Sequence, residues 1–142
     1  MNENKIYSES KILITGSRGY IGNELLQFFR RKGLDVRESD GDLSSREVWE
    51  ENIDREFDFI FHLAATEGKN SNVEMNSLST LNMLNTCVAN NIKPRIIFAS
   101  STNLYGATEQ EVVDEESISF PLSEYSAHKL LAEGYLRLFN KK

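Results

Sequence analysis

Short apolar runs alternate with amphipathic stretches along the 142 residues. Residues 11–15 form a compact β-type run that ends at Gly16. Over 20–32, Ile21, Leu25, Phe28 and Phe29 fall at helical spacing, and Gly33 is a natural helix stop. Residues 34–39 read as a weak second strand anchored by Val36. Ser44 and Glu47 have capping-box spacing and open a helix carrying Val48, Trp49 and Ile53. Residues 57–65 are nearly all apolar, which suits a central parallel strand buried on both faces. A long helix follows over about 73–90, with Met75, Leu78, Leu81, Met83, Leu84 and Val88 as its apolar positions. Pro94 blocks its continuation, and 95–101 read as another buried-type strand. Residues 108–119 are acidic and irregular, a surface loop. Residues 125–139 form a last helix with Leu130, Leu131, Tyr135, Leu138 and Phe139.

Strands alternate with helices through short connections, so the expected class is α/β with a parallel sheet. Right-handed crossovers leave a doubly wound sheet as the natural arrangement. Residues 1–10 are a polar tail, and 11–142 form one domain.

Sixteen Lys and Arg against 22 Asp and Glu give a net charge of −6. That balance argues against a nucleic-acid binder, which needs a basic face. Cys87 is the single cysteine, so no internal disulfide forms, and it falls in an apolar helical pattern as a small core residue. No Cys/His cluster has metal-ligand spacing. The first ten residues lack an apolar core and no run approaches a membrane span, so a cytoplasmic protein is expected.

Gly16, Gly19 and Gly22 lie between the first strand and the first helix. A chain that turns sharply there and lets a pyrophosphate approach its backbone needs residues without Cβ. The helix start near Tyr20 offers unbonded N–H groups and a positive dipole end. Arg18, Tyr20 and Ile21, between the glycines, are the accompanying candidates. Asp40 lies some twenty residues on, where a carboxylate accepts from ribose hydroxyls. Asp42 and Leu43 follow and alternatively border the adenine. Arg18 and Arg37 pull the other way, toward a phosphorylated cofactor. The balance leans to NAD over NADP.

Tyr125 and Lys129 are four apart and share a helix face. A phenol near its ordinary pKa of about 10 is a poor base at neutral pH. A neighbouring ammonium lowers that pKa, and the same ammonium can hold a ribose hydroxyl. Ser101, at the end of the preceding strand, is placed to orient a substrate hydroxyl or carbonyl. Together they supply acid–base catalysis coupled to hydride transfer. His128 is expected on the exposed side of the helix, and His62 packed at the sheet. Trp49, Phe29 and Phe139 read as packing residues.

These residues together resemble the NAD-dependent epimerase/dehydratase family, the extended branch of the short-chain dehydrogenase/reductase superfamily. The matching pieces are Thr15-Gly16-x-x-Gly19-x-x-Gly22, Asp42-Leu43, His62-Leu63-Ala64-Ala65, Asn76, Ser100-Ser101-x-x-Leu104-Tyr105-Gly106 and Pro121-x-Ser123-x-Tyr125-x-x-x-Lys129, with Glu115 or Glu116 ahead of the last. The resemblance implies a Rossmann fold, NAD or NADP as cofactor, and catalytic roles for Ser101, Tyr125 and Lys129. It implies that Leu63, Ala64 and Ala65 pass beside the cofactor and that Asn76 supports the active site. The implied substrates are nucleotide-linked sugars or other small hydroxy and keto compounds. Pairing of the helices at 73–90 and 125–139 into a homodimer is also implied, with an exposed sheet edge as a second route to association.

Three departures from that pattern matter. The segment between the second strand and Asp42 is short, which obscures the ribose-selecting residue. The stretch from Ala65 to Asn76 is short and lacks the customary proline. The chain stops at Lys142, where family members continue into further strands and a substrate domain. The expectation is therefore the N-terminal, cofactor-binding part of such an enzyme, with weakened cofactor binding and little or no turnover alone. The alternative is a non-catalytic dinucleotide-binding or interaction module.

Overall fold

The computed structural model describes residues 9–54, 56–67, 70–107 and 112–140. Most of the predicted N-terminal tail, residues 108–111 of the predicted acidic loop, and residues 141 and 142 of the predicted domain lie outside the described residues.

Among the described residues, four strands form one parallel sheet: β1 (Lys11–Thr15), β2 (Asp35–Glu38), β3 (Phe59–His62) and β4 (Arg95–Phe98), in the order β2-β1-β3-β4. Leu13 sits opposite Arg37 on one side and Ile60 on the other, and Ile60 pairs with Ile96. The helices are α1 (Tyr20–Arg31), α2 (Arg46–Asn52), α3 (Ser79–Ala89) and α4 (Glu124–Phe139). A π-helical turn, Glu74–Leu78, leads into α3, and a 3-10 turn, Thr102–Tyr105, follows β4. The architecture is the doubly wound Rossmann type that the alternation predicts.

Leu13, Ile60, Trp49, Ile53, Phe57, Met83 and Leu84 form the core on the face covered by α2, α3 and α4, with Cys87 buried among them. On the other face α1 places Phe29 against Phe61, ring centroids 5.1 Å apart. That face carries one described helix, so β3 is fully buried only at Ile60 and His62, while Phe59 and Phe61 are half-buried. β4 is an edge strand and half-buried rather than buried.

Several local expectations shift for physical reasons. The buried stripe of α1 is Gly22, Leu26 and Phe29, which leaves Ile21 and Phe28 exposed. α2 starts one residue later than the capping box implies. Ser45 is its N-cap, and its hydroxyl donates to Glu47 instead of capping the backbone. Ser44 is drawn off to Asp42, whose carboxylate accepts its N–H at 3.0 Å. Just past the end of α3, Asn91 turns at φ 53° and Ile92 N–H donates to the Cys87 carbonyl at 2.8 Å, so the stop precedes Pro94. Val88, Leu131 and Leu138 face outward, and α4 buries Ser126, Lys129 and Ala132 instead.

Candidate active site at the carboxyl edge of the sheet

β1, β3 and β4 end side by side, and each delivers a functional segment at its carboxyl end. After β1, Gly16 turns at φ +72°, and a Cβ there would sit 2.8 Å from the Ala64 nitrogen. A Cβ on Gly22 would run into the Gly16 carbonyl oxygen. The glycines therefore let three backbone segments meet: the turn, the start of α1 and the end of β3. Gly19 is the N-cap of α1, with no side chain capping the helix and no acidic residue in its first turn. Tyr20 and Ile21 stand exposed beside it. A bare helix start beside a glycine turn is a fit for a pyrophosphate.

Thr15 and His62 are the last residues of β1 and β3, and both are buried. The Thr15 hydroxyl oxygen accepts from Leu63 N–H and Ala64 N–H, each at 3.1 Å, and lies 2.9 Å from His62 Nδ1. His62 Nε2 lies 3.1 Å from the Thr80 hydroxyl. Burial, then the charge of Lys129, pushes the His62 pKa down to about 3. This network fixes the cradle wall, whereas the sequence pattern indicates only a packed histidine. The signal for it is two polar residues ending two apolar runs.

Ala65 is exposed, and the next residue is gripped by Asn76 from the π-helical turn. The Asn76 amide donates to the Thr66 carbonyl at 2.7 Å and accepts from Thr66 N–H at 2.8 Å. In the same turn, Ser77 donates to the His128 carbonyl at 3.0 Å, which ties this support to α4.

The ribose-side candidates separate. Asp40 is exposed, with Arg18 3.8 Å from its carboxylate. Asp42 is also exposed, and the Ser44 N–H, then its hydroxyl, hold its pKa below the ordinary value. Leu43 points into the core, and its carbonyl accepts from the Trp49 indole at 2.9 Å. Arg37 pairs instead with Asp54, at 2.5 Å.

Ser101 lies three residues past the end of β4, where it caps the 3-10 turn by accepting from Asn103 N–H at 3.2 Å. Gly106, at φ +61°, passes so close to the Phe120 carbonyl that a Cβ would collide with it. Ser123 and Ser126 form a reciprocal capping box that starts α4 two residues before Tyr125. Tyr125 and Lys129 then share one face, with Lys129 Nζ 5.7 Å from the Tyr125 ring centroid. The Lys129 ammonium is almost wholly buried. It donates to the Ala99 carbonyl at 2.8 Å and lies 4.6 Å over the Phe98 ring. Burial pushes its pKa down to about 8.

Two expectations at this site are overturned. The Tyr125 pKa is raised, first by burial and then by the Glu67 charge, against the lowering by Lys129 that the spacing predicts. The ammonium is turned toward Ala99, and the carboxylate of Glu67 comes from a distant loop. His128 is half-buried rather than exposed, and its Nδ1 has no hydrogen-bond partner among the described residues.

The NAD dependent epimerase/dehydratase family model matches residues 12–142. The chain belongs to the NAD-dependent epimerase/dehydratase family. D-erythronate dehydrogenase of Cupriavidus necator is 26% identical over 164 residues, covering 92% of this chain and 51% of that protein. A short-chain dehydrogenase/reductase superfamily protein from Agrobacterium tumefaciens, solved with bound NAD, superposes with a TM-score of 0.85 at 25% identity. The match covers 93% of this chain and 45% of that one. The UDP-Glc/GlcNAc 4-epimerase from Campylobacter jejuni superposes with a TM-score of 0.84 at 28% identity, covering 93% and 49%. The chain spans about half the length of these relatives. No helix among the described residues is long and apolar enough to cross a membrane.

Proposed function

We propose that this chain forms the cofactor-binding and proton-transfer half of an NAD-dependent enzyme acting on a nucleotide-linked sugar or a related small hydroxy compound. The observation that carries this reading is the convergence at one sheet edge of the glycine turn with the Tyr125–Lys129 face. The turn follows β1 and the Tyr125–Lys129 face stands over the end of β4, with β3 between them: Ala64 lies against Gly16, and Lys129 donates to the Ala99 carbonyl.

The residues divide the work. Gly16, Gly19 and Gly22 admit the pyrophosphate to the start of α1, and Asp40 reads the adenosine ribose. NAD, when bound, supplies a hydride acceptor. Ser101 hydrogen-bonds the reacting hydroxyl and orients it. Tyr125 exchanges a proton with that hydroxyl. At rest its phenol is held protonated by burial and by Glu67. Turning the Lys129 ammonium from Ala99 toward the phenol favours the phenolate. Asn76 holds the loop carrying Glu67 against this site through Thr66.

The fold shared with the Campylobacter epimerase and the relation to the Cupriavidus dehydrogenase support a hydroxyl-oxidising chemistry. The test is calorimetric titration of the purified chain with NAD and NADP, with Tyr125→Phe as comparison. Saturable NAD binding retained by Tyr125→Phe is the expected result. A folded chain that binds neither dinucleotide refutes the proposal.

A further inference from the structure

We infer that Asn52 is a positioning residue that fixes Asp40 as the selector between NAD and NADP. The inference rests on the reading of Asp40 as the ribose-facing carboxylate, and adds what holds it in place.

The last sheet bond on this side is Ser39 N–H to the Ile14 carbonyl, at 2.9 Å. At Asp40 a side chain takes over the role of a neighbouring strand. The Asn52 oxygen accepts from Asp40 N–H at 2.9 Å, and Asn52 Nδ2 donates to the Asp40 carbonyl at 2.8 Å. The second Nδ2 hydrogen goes to the Val48 carbonyl at 2.7 Å. Both donors of the amide are committed and its oxygen is occupied, so its orientation is set. Asn52 is 4% exposed. One turn earlier on α2, Val48 packs on the next residue of the turn. A Cβ on Gly41, at φ +84°, would sit 2.9 Å from a Val48 methyl carbon. Val48 and Asn52, four apart on one helix face, together hold the Asp40-Gly41 turn.

The Asp40 carboxylate itself is exposed and is steadied by Gly41 N–H at 2.9 Å and by Arg18. An exposed carboxylate on a loose backbone samples many positions and reads no single hydroxyl. Fixed in place, it accepts from a ribose 2′-hydroxyl and repels a 2′-phosphate. Released, it loses the hydroxyl bond and relieves the repulsion, while Arg18 becomes available to a phosphate. This explains how so short a connection after β2 still presents a ribose selector: the seven-residue α2 buttresses it directly.

The test is a double-mutant cycle read by calorimetric titration with NAD and NADP. The proteins are the unmodified chain, Asn52→Leu, Asp40→Ala and the Asp40→Ala/Asn52→Leu double variant, each checked for fold by circular dichroism. Asn52→Ala, which lets water reach the Asp40 backbone, replaces Asn52→Leu should that variant unfold. Each single change is expected to shift the NAD-to-NADP affinity ratio about tenfold toward NADP, the scale of one hydrogen bond to a charged group. The double variant is expected to match Asp40→Ala alone. A ratio unchanged by the Asn52 substitutions, or an effect that adds in full to that of Asp40→Ala, overturns the role of Asn52. A ratio unchanged by Asp40→Ala overturns the reading of Asp40 and the role of Asn52 with it. Absence of binding by the unmodified chain overturns both together with the proposed function.

Discussion

Thr15 Oγ1 lies 2.9 Å from His62 Nδ1, joining the last residues of two neighbouring strands. The same oxygen accepts two backbone N–H groups, from Leu63 and Ala64. Its own proton is then directed at Nδ1, which makes Nδ1 the acceptor and places the ring proton on Nε2, facing Thr80. One hydroxyl thus ties the strand ends that bring Ala64 against Gly16. Thr15→Ser keeps the hydroxyl and is expected to be nearly neutral. Thr15→Val leaves the part-buried Leu63 and Ala64 N–H groups unpaired and is expected to cost about 2 kcal/mol. Urea denaturation of the three proteins measures the difference.

The same ring carries a pH signature. Folded, His62 resists protonation down to about pH 3. Unfolded, it titrates near its ordinary value of about 6.5. Between those values the unfolded chain binds the extra proton, so stability rises with pH. The contribution of neutral His62 is complete above pH 6.5 and is lost progressively as pH falls toward 3. His62→Asn removes the titration while keeping an acceptor for Thr15. Its melting temperature is expected to fall less between pH 7 and pH 5 than that of the unmodified chain. Equal slopes would show that His62 does not resist protonation.

How much is legible in the sequence follows from the range of the interactions. The glycine turn and the Tyr125–Lys129 face are local, and their spacing together with the strand and helix around each predicts them. The strand at β3 is a dense apolar run, which few other structures accommodate. Which side of a helix is covered depends on distant neighbours, so Ile21, Phe28, Leu131 and Leu138 read as buried and stand exposed. The Thr15–His62 bond spans 47 residues, and the Asn52 grip on Asp40 depends on how a short helix is laid against a strand end. The first leaves only two polar residues ending two apolar runs, and the second leaves no pattern in one sequence. The sign of the Tyr125 shift escapes the sequence for the same reason, since it is set first by burial and then by Glu67, which reaches it from another loop. The Ser123–Ser126 cap goes unread in the sequence, because its N3 partner is a serine rather than the glutamate or glutamine of the usual signature.

Lys129 predicts a pH test of the same sign on the alkaline side. Burial lowers its pKa to about 8, below the unfolded value of about 10.4. From pH 8 to 10 the unfolded chain holds more protons, and stability therefore rises with pH as the buried charge is relieved. Lys129→Met has no such charge. The unfolding free energy of the unmodified chain minus that of Lys129→Met is expected to increase between pH 7 and pH 9.5. A constant difference would mean that burial over Phe98 costs the ammonium nothing.

Gly22 and Gly33 separate a glycine needed for the site from one needed only for a helix stop. At Gly22 a methyl group would meet the Gly16 carbonyl oxygen, a backbone atom that cannot swing aside. Gly22→Ala must therefore push the turn away from α1. It is expected to cost about 3 kcal/mol, at the upper end for overpacking, and to abolish dinucleotide binding. At Gly33, φ is +70° and, its chain neighbours aside, no described residue lies within 4 Å of where a methyl group would sit. Gly33→Ala is expected to cost about 1 kcal/mol of left-handed strain and to leave dinucleotide affinity unchanged. Chemical denaturation and NAD titration on the two variants separate stability from binding. Loss of binding in both variants would mean that the cradle depends on overall stability rather than on the close approach at Gly22.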